Sequence, residues 1–122
     1  MPKKILITDD DKDLIEAMGL RFEQDGYTVI KAYNGEECFE KAKAEHPDLV
    51  IMDVAMPVMD GYSAVKALKE DDLTKHIPIM ILTGKDQMED IFMMEGVKEY
   101  LIKPFEYEVI AQKVKDILEN DR

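Results

Sequence analysis

One short apolar run that ends in an acidic residue limits the fold of this chain more than any other stretch. Residues 49–52 read Leu-Val-Ile-Met, Asp53 follows them, and Met56-Pro57 interrupts the chain soon afterwards. Four apolar residues in succession are typical of a strand that is buried on both faces, as in a parallel sheet covered by helices. Open α/β folds place their ligand sites at the carboxyl ends of such strands. Asp53 is therefore expected at a functional edge of a parallel sheet.

The rest of the chain alternates strand-like runs with amphipathic stretches. Predicted strands lie at 4–8, 27–33, 49–52, 77–83 and 97–102, and predicted helices at about 14–25, 35–45, 62–71, 85–96 and 106–118. This alternation at short spacing indicates an α/β fold, a doubly wound, five-stranded parallel sheet of (βα)5 type. The whole chain, residues 1–122, is predicted to be one domain with no output domain.

Apolar residues at helical spacing predict which helix faces pack on the sheet. The first helix has such a stripe at Leu14, Ile15, Met18 and Phe22, and the fifth has one at Val109, Ile110, Val114, Ile117 and Leu118. Asn34 and Glu37 have the spacing of a capping box at the start of the second helix. The fourth helix contains Met88, Met93 and Met94 near Phe92. Core packing is the preferred interpretation of these methionines, and an adaptable binding surface is the alternative.

Charge and composition narrow the classes of partner. The formal net charge of −11 disfavours direct binding to nucleic acid or to an anionic membrane. No apolar run approaches the roughly 20 residues of a membrane span, and no secretory signal is visible, so none is expected. Cys38 is the only cysteine, so no internal disulfide can form and a reducing, cytoplasmic location is expected. His46 and His76 are predicted to be surface residues.

Polar residues follow several predicted strands, and a parallel sheet brings strand ends to one edge. These residues are Asp9, Asp10, Asp53, Thr83 and Lys103. Crowded carboxylates repel one another, so one must take up a proton or a cation must neutralise them. Mg²⁺ suits such a site because it binds carboxylate oxygens and keeps waters for a phosphate ligand. An aspartate can itself accept a phosphoryl group as an acyl phosphate.

These properties lead to an assignment for the five residues. Asp53 is assigned as the phosphoryl acceptor, with Asp10 and Asp9 as metal ligands. Thr83 and Lys103 are assigned to the phosphoryl oxygens, whose charge must be neutralised during transfer. Each residue alone also has an ordinary structural explanation, since consecutive acids suit a helix start, aspartate suits a turn and threonine suits a strand. The complete set is more informative than any member.

Five motifs of this chain resemble those of a known family. They are Ile-Leu-Ile-Thr-Asp-Asp-Asp at 5–11, Pro-Asp-Leu-Val-Ile-Met-Asp at 47–53, Met-Pro-Val-Met-Asp-Gly at 56–61, Pro-Ile-Met-Ile-Leu-Thr at 78–83 and Tyr-Leu-Ile-Lys-Pro-Phe at 100–105. Together they resemble the receiver domains of two-component response regulators, of the stand-alone, chemotaxis-regulator-like, single-domain type. The resemblance implies a flavodoxin-like sheet with the strand order 2-1-3-4-5.

The resemblance also implies a phosphotransfer function. Asp53 would accept a phosphoryl group from the phosphohistidine of a sensor histidine kinase or a histidine phosphotransfer protein. The metal would be Mg²⁺, with Mn²⁺ as a substitute, held by Asp10, Asp53, the backbone carbonyl of Ala55 and, largely through water, Asp9. The domain would catalyse only its own phosphorylation and dephosphorylation, and would not be an enzyme in any other sense.

A switch is implied by the same resemblance. Lys103, with a cis bond to Pro104, would pair with the phosphoryl group, and Thr83 and Tyr100 would be the switch residues. The surface of helix 4, strand 5 and helix 5 would then change and signal by docking or phosphorelay. The segment 84–96 is slightly shorter than is usual in the family, and this bears on the position and length of helix 4.

Other functions are compatible with parts of the pattern. A flavodoxin-type electron carrier needs a phosphate-cradling loop after the first strand, where this chain has three acids. A calcium loop that begins at Asp9 lacks its glycine at Leu14 and its glutamate at Leu20. An aspartyl-phosphate hydrolase of the haloacid dehalogenase type needs a second aspartate at the position of Ala55. A receiver-like docking module that is never phosphorylated is the remaining alternative.

Overall fold

The computed structural model describes residues 2–53, 60–84 and 88–120. Its strands are β1 Lys4–Thr8, β2 Thr28–Ala32, β3 Leu49–Met52, β4 Ile79–Thr83 and β5 Glu99–Ile102. Its helices are α1 Lys12–Gln24, α2 Gly35–Glu45, α3 Gly61–Glu70, α4 Glu89–Met94 and α5 Tyr107–Asn120. All neighbouring strands are parallel, in the order β2-β1-β3-β4-β5. The predicted α/β class, alternation and strand order are confirmed.

The second, fourth and fifth strands are shorter than predicted. At β4 and β5 the reason is that buried apolar residues continue beyond the hydrogen-bonded ladder. Ile77 and Val97 are only 2% and 4% exposed, so both belong to the core. Pro78 separates Ile77 from β4 and has no N–H to donate, although its carbonyl accepts from Val50. The N–H of Val97 bonds to the carbonyl of Phe92, at the end of α4. Apolar patterning therefore predicts burial more accurately than it predicts strand ends.

Each face of the sheet has its own apolar core. One core lies under α2, α3 and α4 and includes Phe92 and Tyr100, and the other lies under α1 and α5 and includes Phe22. The predicted stripes supply the second core, with one exception. Val109 is 46% exposed, because at 100° per residue it lies about 140° around the helix from the buried Val114. Its assignment to the packing face was wrong.

Local hydrogen bonds set the ends of α2. The Asn34 side chain accepts from the N–H of Glu37 at 2.8 Å, as predicted for an N-cap. The Glu37 carboxylate accepts from the N–H of Tyr33 at 2.9 Å, one residue before the expected partner. His46 ends the helix in the left-handed region at φ 53°. His46 and His76 are both exposed, as predicted.

The fourth helix is much shorter than its sequence pattern predicts. It has six residues, and Met88 precedes it without a side-chain cap; residues 85–87 lie outside the described part of the chain. Phe92 is completely buried and Met88 packs against the same core. Met93 and Met94 are 45% and 87% exposed. Core packing is therefore the wrong interpretation for these two methionines, since Phe92 fixes the inward face of so short a helix.

We expect the thiol of Cys38 to be unreactive in the folded protein. Cys38 is completely buried, and this burial raises the pKa of its thiol to about 12. Reaction with Ellman's reagent then requires opening of the α2 core, so we expect it to be roughly 1,000-fold slower than in denaturant. Equal rates in the native and the denatured protein would contradict the buried position.

Candidate functional site

Backbone hydrogen bonds hold the carboxyl ends of the strands together. The N–H of Asp9 bonds to the carbonyl of Ala32, and the N–H of Asp53 bonds to the carbonyl of Thr8 at 3.0 Å. The N–H of Lys103 bonds to the carbonyl of Thr83 at 2.8 Å. Each of these bonds joins neighbouring strands just beyond or at their last residues. These backbone bonds therefore position Asp9, Asp53, Thr83 and Lys103 at one edge of the sheet.

Three carboxylates form a compact acidic cluster at this edge. One oxygen from each of Asp9, Asp10 and Asp53 lies within 4.8 Å of the others. Asp9 and Asp53 are only 4% and 8% exposed, whereas Asp10 is exposed. Carboxylate oxygens that converge with one side open to solvent are a suitable donor set for a hard divalent cation such as Mg²⁺. The residues present therefore fit a divalent metal.

Lys103 supplies a positive charge inside this cluster. Its Nζ donates to Asp9 Oδ2 at 2.9 Å and lies 3.8 Å from Asp53 Oδ2. The ammonium thus lies within ion-pair distance of both buried carboxylates and places one positive charge between them. Lys103 and Asp53 lie close together, as predicted, and Asp9 is closer to the Lys103 ammonium than Asp53 is. The predicted cis bond between Lys103 and Pro104 is also present.

The position of Asp10 in the acidic cluster raises the pKa of its carboxyl. Desolvation of the carboxyl contributes most, followed by the hydrogen bond with Asp9 and the charge of Asp9, and these effects raise the pKa of Asp10. The charge of Asp53 acts in the same direction. A carboxyl whose pKa is raised by neighbouring acids is stabilised in its ionised form by a bound cation. The electrostatics therefore agree with the donor geometry.

The third consecutive acid has a structural role. The Asp11 side chain accepts from the N–H of Leu14 at 3.2 Å and caps α1. Asp9 Oδ1 also accepts from the N–H of Asp11 at 3.0 Å, which ties the cap to the acidic cluster. The helix-start explanation of the acidic run is thus correct for Asp11. Asp9 and Asp10 instead belong to the cluster.

Thr83 and Tyr100 are placed on one face of the sheet. Thr83 pairs in register with Ile102, and Tyr100 pairs with Ile81. Because side chains alternate along a strand, both residues face the side that carries the core of Phe92. Thr83 and Tyr100 are 1% and 7% exposed. Ala55, the predicted backbone ligand of the metal, lies outside the described residues.

Sequence reasoning missed a cluster where α3 meets α4. Tyr62 Oη donates to Glu95 Oε2 at 3.1 Å, and Lys66 Nζ lies 3.7 Å from the same oxygen. Nothing in the periodicity of either helix signals this contact, because it joins residues 33 positions apart.

A separate groove of about 990 Å³ lies between α1 and α5 and contains none of the edge residues. Within the described ranges, no helix has both the length and the apolar character of a membrane span.

Comparison with known proteins assigns the chain to a family. Residues 5–115 match the family model of the response regulator receiver domain. The Bacillus subtilis alkaline phosphatase synthesis transcriptional regulatory protein PhoP is 39% identical over 120 residues, which cover 97% of this chain and 49% of PhoP. The chain thus spans about half the length of that relative. Protein PilH of Pseudomonas aeruginosa is 35% identical over 117 residues, which cover 94% of this chain and 97% of PilH.

Solved structures agree with that assignment. The chemotaxis response regulator CheY4 of Vibrio cholerae superposes with a TM-score of 0.87 at 30% identity, covering 96% of this chain and 99% of CheY4. A putative response regulator from Chloroflexus aurantiacus gives 0.89 at 35% identity, covering 98% of this chain and 100% of that structure. Neither the electron carrier nor the phosphate-ester hydrolase gains support from these matches. With its sheet order, its acidic edge and these relatives, the chain belongs to the family of response regulator receiver domains.

Proposed function

We propose that this receiver domain accepts a phosphoryl group on Asp53 in a Mg²⁺-dependent reaction. The observation that carries the proposal is the contact of Lys103 with both Asp9 and Asp53, at 2.9 and 3.8 Å, inside a cluster of three carboxylates. No structural requirement of a strand end calls for three acids and a lysine that converge. The proposal is tested by labelling Asp53 with a small phosphoryl donor and comparing Asp53→Asn.

The arrangement accounts for the chemistry of transfer. A carboxylate oxygen of Asp53 attacks the phosphorus atom of a phosphohistidine, an O–P bond forms, and the P–N bond to the imidazole breaks. Phosphoryl transfer requires alignment and neutralisation of charge on the equatorial oxygens. Lys103 is positioned to supply one positive charge, and the hydroxyl of Thr83 is proposed to supply a hydrogen bond. A bound Mg²⁺, held by Asp9, Asp10 and Asp53, would add further charge neutralisation.

Phosphorylation is proposed to act as a two-state switch. A phosphoryl group on Asp53 adds negative charge and three acceptor oxygens beside Lys103. Thr83 would then move toward the phosphoryl group and Tyr100 would turn further inward on the sheet face under α4. Attack by water on the acyl phosphate would return the domain to its resting state. In this proposal the domain acts on no other substrate.

The surface of α4, β5 and α5 is proposed as the docking face. Exposed apolar side chains lie on it at Ile91, Met93, Met94, Ile102 and Val109. Exposed methionines adapt to different apolar partners because their side chains are flexible and polarisable. We place a sensor histidine kinase or a histidine phosphotransfer protein upstream, a protein target downstream, and the reaction in the cytoplasm. Direct binding to nucleic acid or membrane is not part of the proposal, given the net charge of −11.

Substitution of Met94 by glutamate should weaken capture of the downstream target. Met94 is 87% exposed, so the change should leave the fold intact while it removes about 1.5–3 kcal/mol of apolar burial at the interface. We expect recovery of the target by the phosphorylated domain to fall about tenfold or more. Leu20→Glu is the matched control, since Leu20 is 56% exposed on α1 and lies near Lys31 of β2, the strand at the opposite edge of the sheet from β5. An equal loss in both variants would contradict the assignment of the face.

A further inference from the structure

Three aromatic rings form a continuous row from β5 to α3. The ring of Phe92 lies 5.9 Å from that of Tyr100, and 5.6 Å from that of Tyr62 with an interplanar angle of 83°. Both distances are within the range in which aromatic pairs attract each other. Phe92 is completely buried and Tyr100 is 7% exposed. The row therefore begins inside the core and ends at the surface of α3.

The outer end of the row is joined to the end of α4. Tyr62 donates its hydroxyl to Glu95, which is the C-cap of α4. Lys66 pairs with Glu95 at 3.7 Å, and its Nζ lies 5.7 Å from the centroid of the Tyr62 ring. We call Tyr62, Lys66 and Glu95 the latch. The hydrogen bond to Glu95 raises the pKa of the Tyr62 phenol.

We propose that Phe92 couples the position of the Tyr100 ring to the latch. The contact between α3 and α4 then changes when Asp53 is phosphorylated, and a change in that contact in turn alters how readily Asp53 is phosphorylated. The inference rests on the proposed switch, and extends it from the face of α4, β5 and α5 to α3. The positioning residue is Phe92, which touches Tyr100 on one side and Tyr62 on the other. The latch is the part of this device that solvent and partners can reach.

Close packing is the physical reason for this coupling. Protein interiors have the packing density of organic crystals, so a buried ring cannot move without a matching movement of its neighbours. The short α4 has no side-chain N-cap, so its position depends strongly on Phe92 below it and on the latch at its carboxyl end. Coupling between two sites is reciprocal. A partner that separates Glu95 from Tyr62 would therefore change the ease with which Asp53 is phosphorylated.

Fluorine NMR of protein labelled with 3-fluorotyrosine tests the proposal. The chain has five tyrosines, and each resonance is assigned by a Tyr→Phe variant. In the wild type we expect phosphorylation with acetyl phosphate and Mg²⁺ to shift both the Tyr100 and the Tyr62 resonance. In Phe92→Leu we expect the Tyr100 shift to persist and the Tyr62 shift to fall to about a quarter or less, since the smaller side chain no longer fills the space between the rings.

The second core provides a matched control. Phe22 is also completely buried, and its ring lies between two tyrosines, 5.9 Å from Tyr27 and 5.2 Å from Tyr107. Phe22→Leu therefore makes the same cavity on the other face of the sheet. We expect this variant to keep the full response of Tyr62. Loss of that response in both variants, or retention in both, would overturn the proposal.

A measurement without phosphorylation separates this inference from the proposed function. We expect Tyr62→Leu and Tyr100→Leu to be non-additive by about threefold or more in the unfolding equilibrium constant, and additive in the background of Phe92→Leu. Additivity in both backgrounds would overturn the coupling. If phosphorylation shifts Tyr100 and leaves Tyr62 unchanged, the coupling is wrong and the proposed function stands. If Asp53 is never phosphorylated, the proposed function is wrong and the double-mutant cycle decides the coupling.

Discussion

Replacement of Asp53 by asparagine should abolish phosphorylation of the domain by acetyl phosphate or phosphoramidate. An amide has no anionic oxygen to attack phosphorus, and it cannot form the acyl phosphate that an ionised carboxylate forms. We expect labelling close to one phosphoryl group per chain in the wild type and at least roughly a 1,000-fold lower rate in the variant. Intact-mass spectrometry at short reaction times measures both values.

A second aspartate provides the control for this experiment. Asp60 caps α3 by accepting from the N–H of Ser63 at 2.8 Å, a bond that asparagine can also make. Asp60→Asn therefore removes one acidic group and keeps the fold, and we expect its labelling to match that of the wild type. Equal labelling of Asp53→Asn and the wild type would refute the assignment of the acceptor.

Removal of the divalent cation should have the second largest effect. The acidic cluster holds three carboxylates and one ammonium, so an incoming phosphoryl group meets net negative charge. Without Mg²⁺ that repulsion is not cancelled, and we expect transfer to slow by about 100-fold or more, since a bound metal ion contributes several kcal/mol of charge stabilisation. Asp10→Asn should resemble metal removal even in the presence of Mg²⁺, because it removes a proposed ligand.

Thermal unfolding gives an independent measure of the same site. The raised pKa of Asp10 means that the folded state holds its proton more tightly than the unfolded state does, so ionised Asp10 destabilises the metal-free fold. Asp10→Asn should therefore raise Tm without Mg²⁺. In the wild type, Mg²⁺ at ten times its dissociation constant should stabilise the fold by about 1.4 kcal/mol. We expect that gain to be absent in Asp10→Asn and present in Asp60→Asn, and an equal gain in all three proteins would contradict the metal site.

Local patterns in the chain were sufficient to predict most of the fold. The apolar run at 49–52 and the helical stripe that includes Phe22 each reflect burial of one element, and burial depends on a period that neighbouring residues reveal. The order of alternating elements then indicates a parallel sheet. The collection of Asp9, Asp53 and Lys103 at one edge follows, since parallel strands all end on the same side of their sheet.

Contacts between distant elements could not be predicted in this way. Lys103 donates to Asp9, 94 positions away, at a shorter distance than it keeps from Asp53. Which of the two carboxylates Lys103 contacts more closely depends on side-chain geometry at the edge of the sheet. The spacing of residues along the sequence does not predict it. The row from Tyr100 through Phe92 to Tyr62 is a similar case. Its members lie on three elements, and their spacing follows from how those elements pack.

The short fourth helix shows what its sequence determines and what tertiary packing decides. Its sequence specifies an amphipathic segment with methionines, and the packing of Phe92 under a helix of only six residues decides that Met93 and Met94 face solvent. Periodicity along a chain reports whether a residue type can be buried. Which residue is buried, and which partner it meets, is decided by the shape and volume that the other elements leave free.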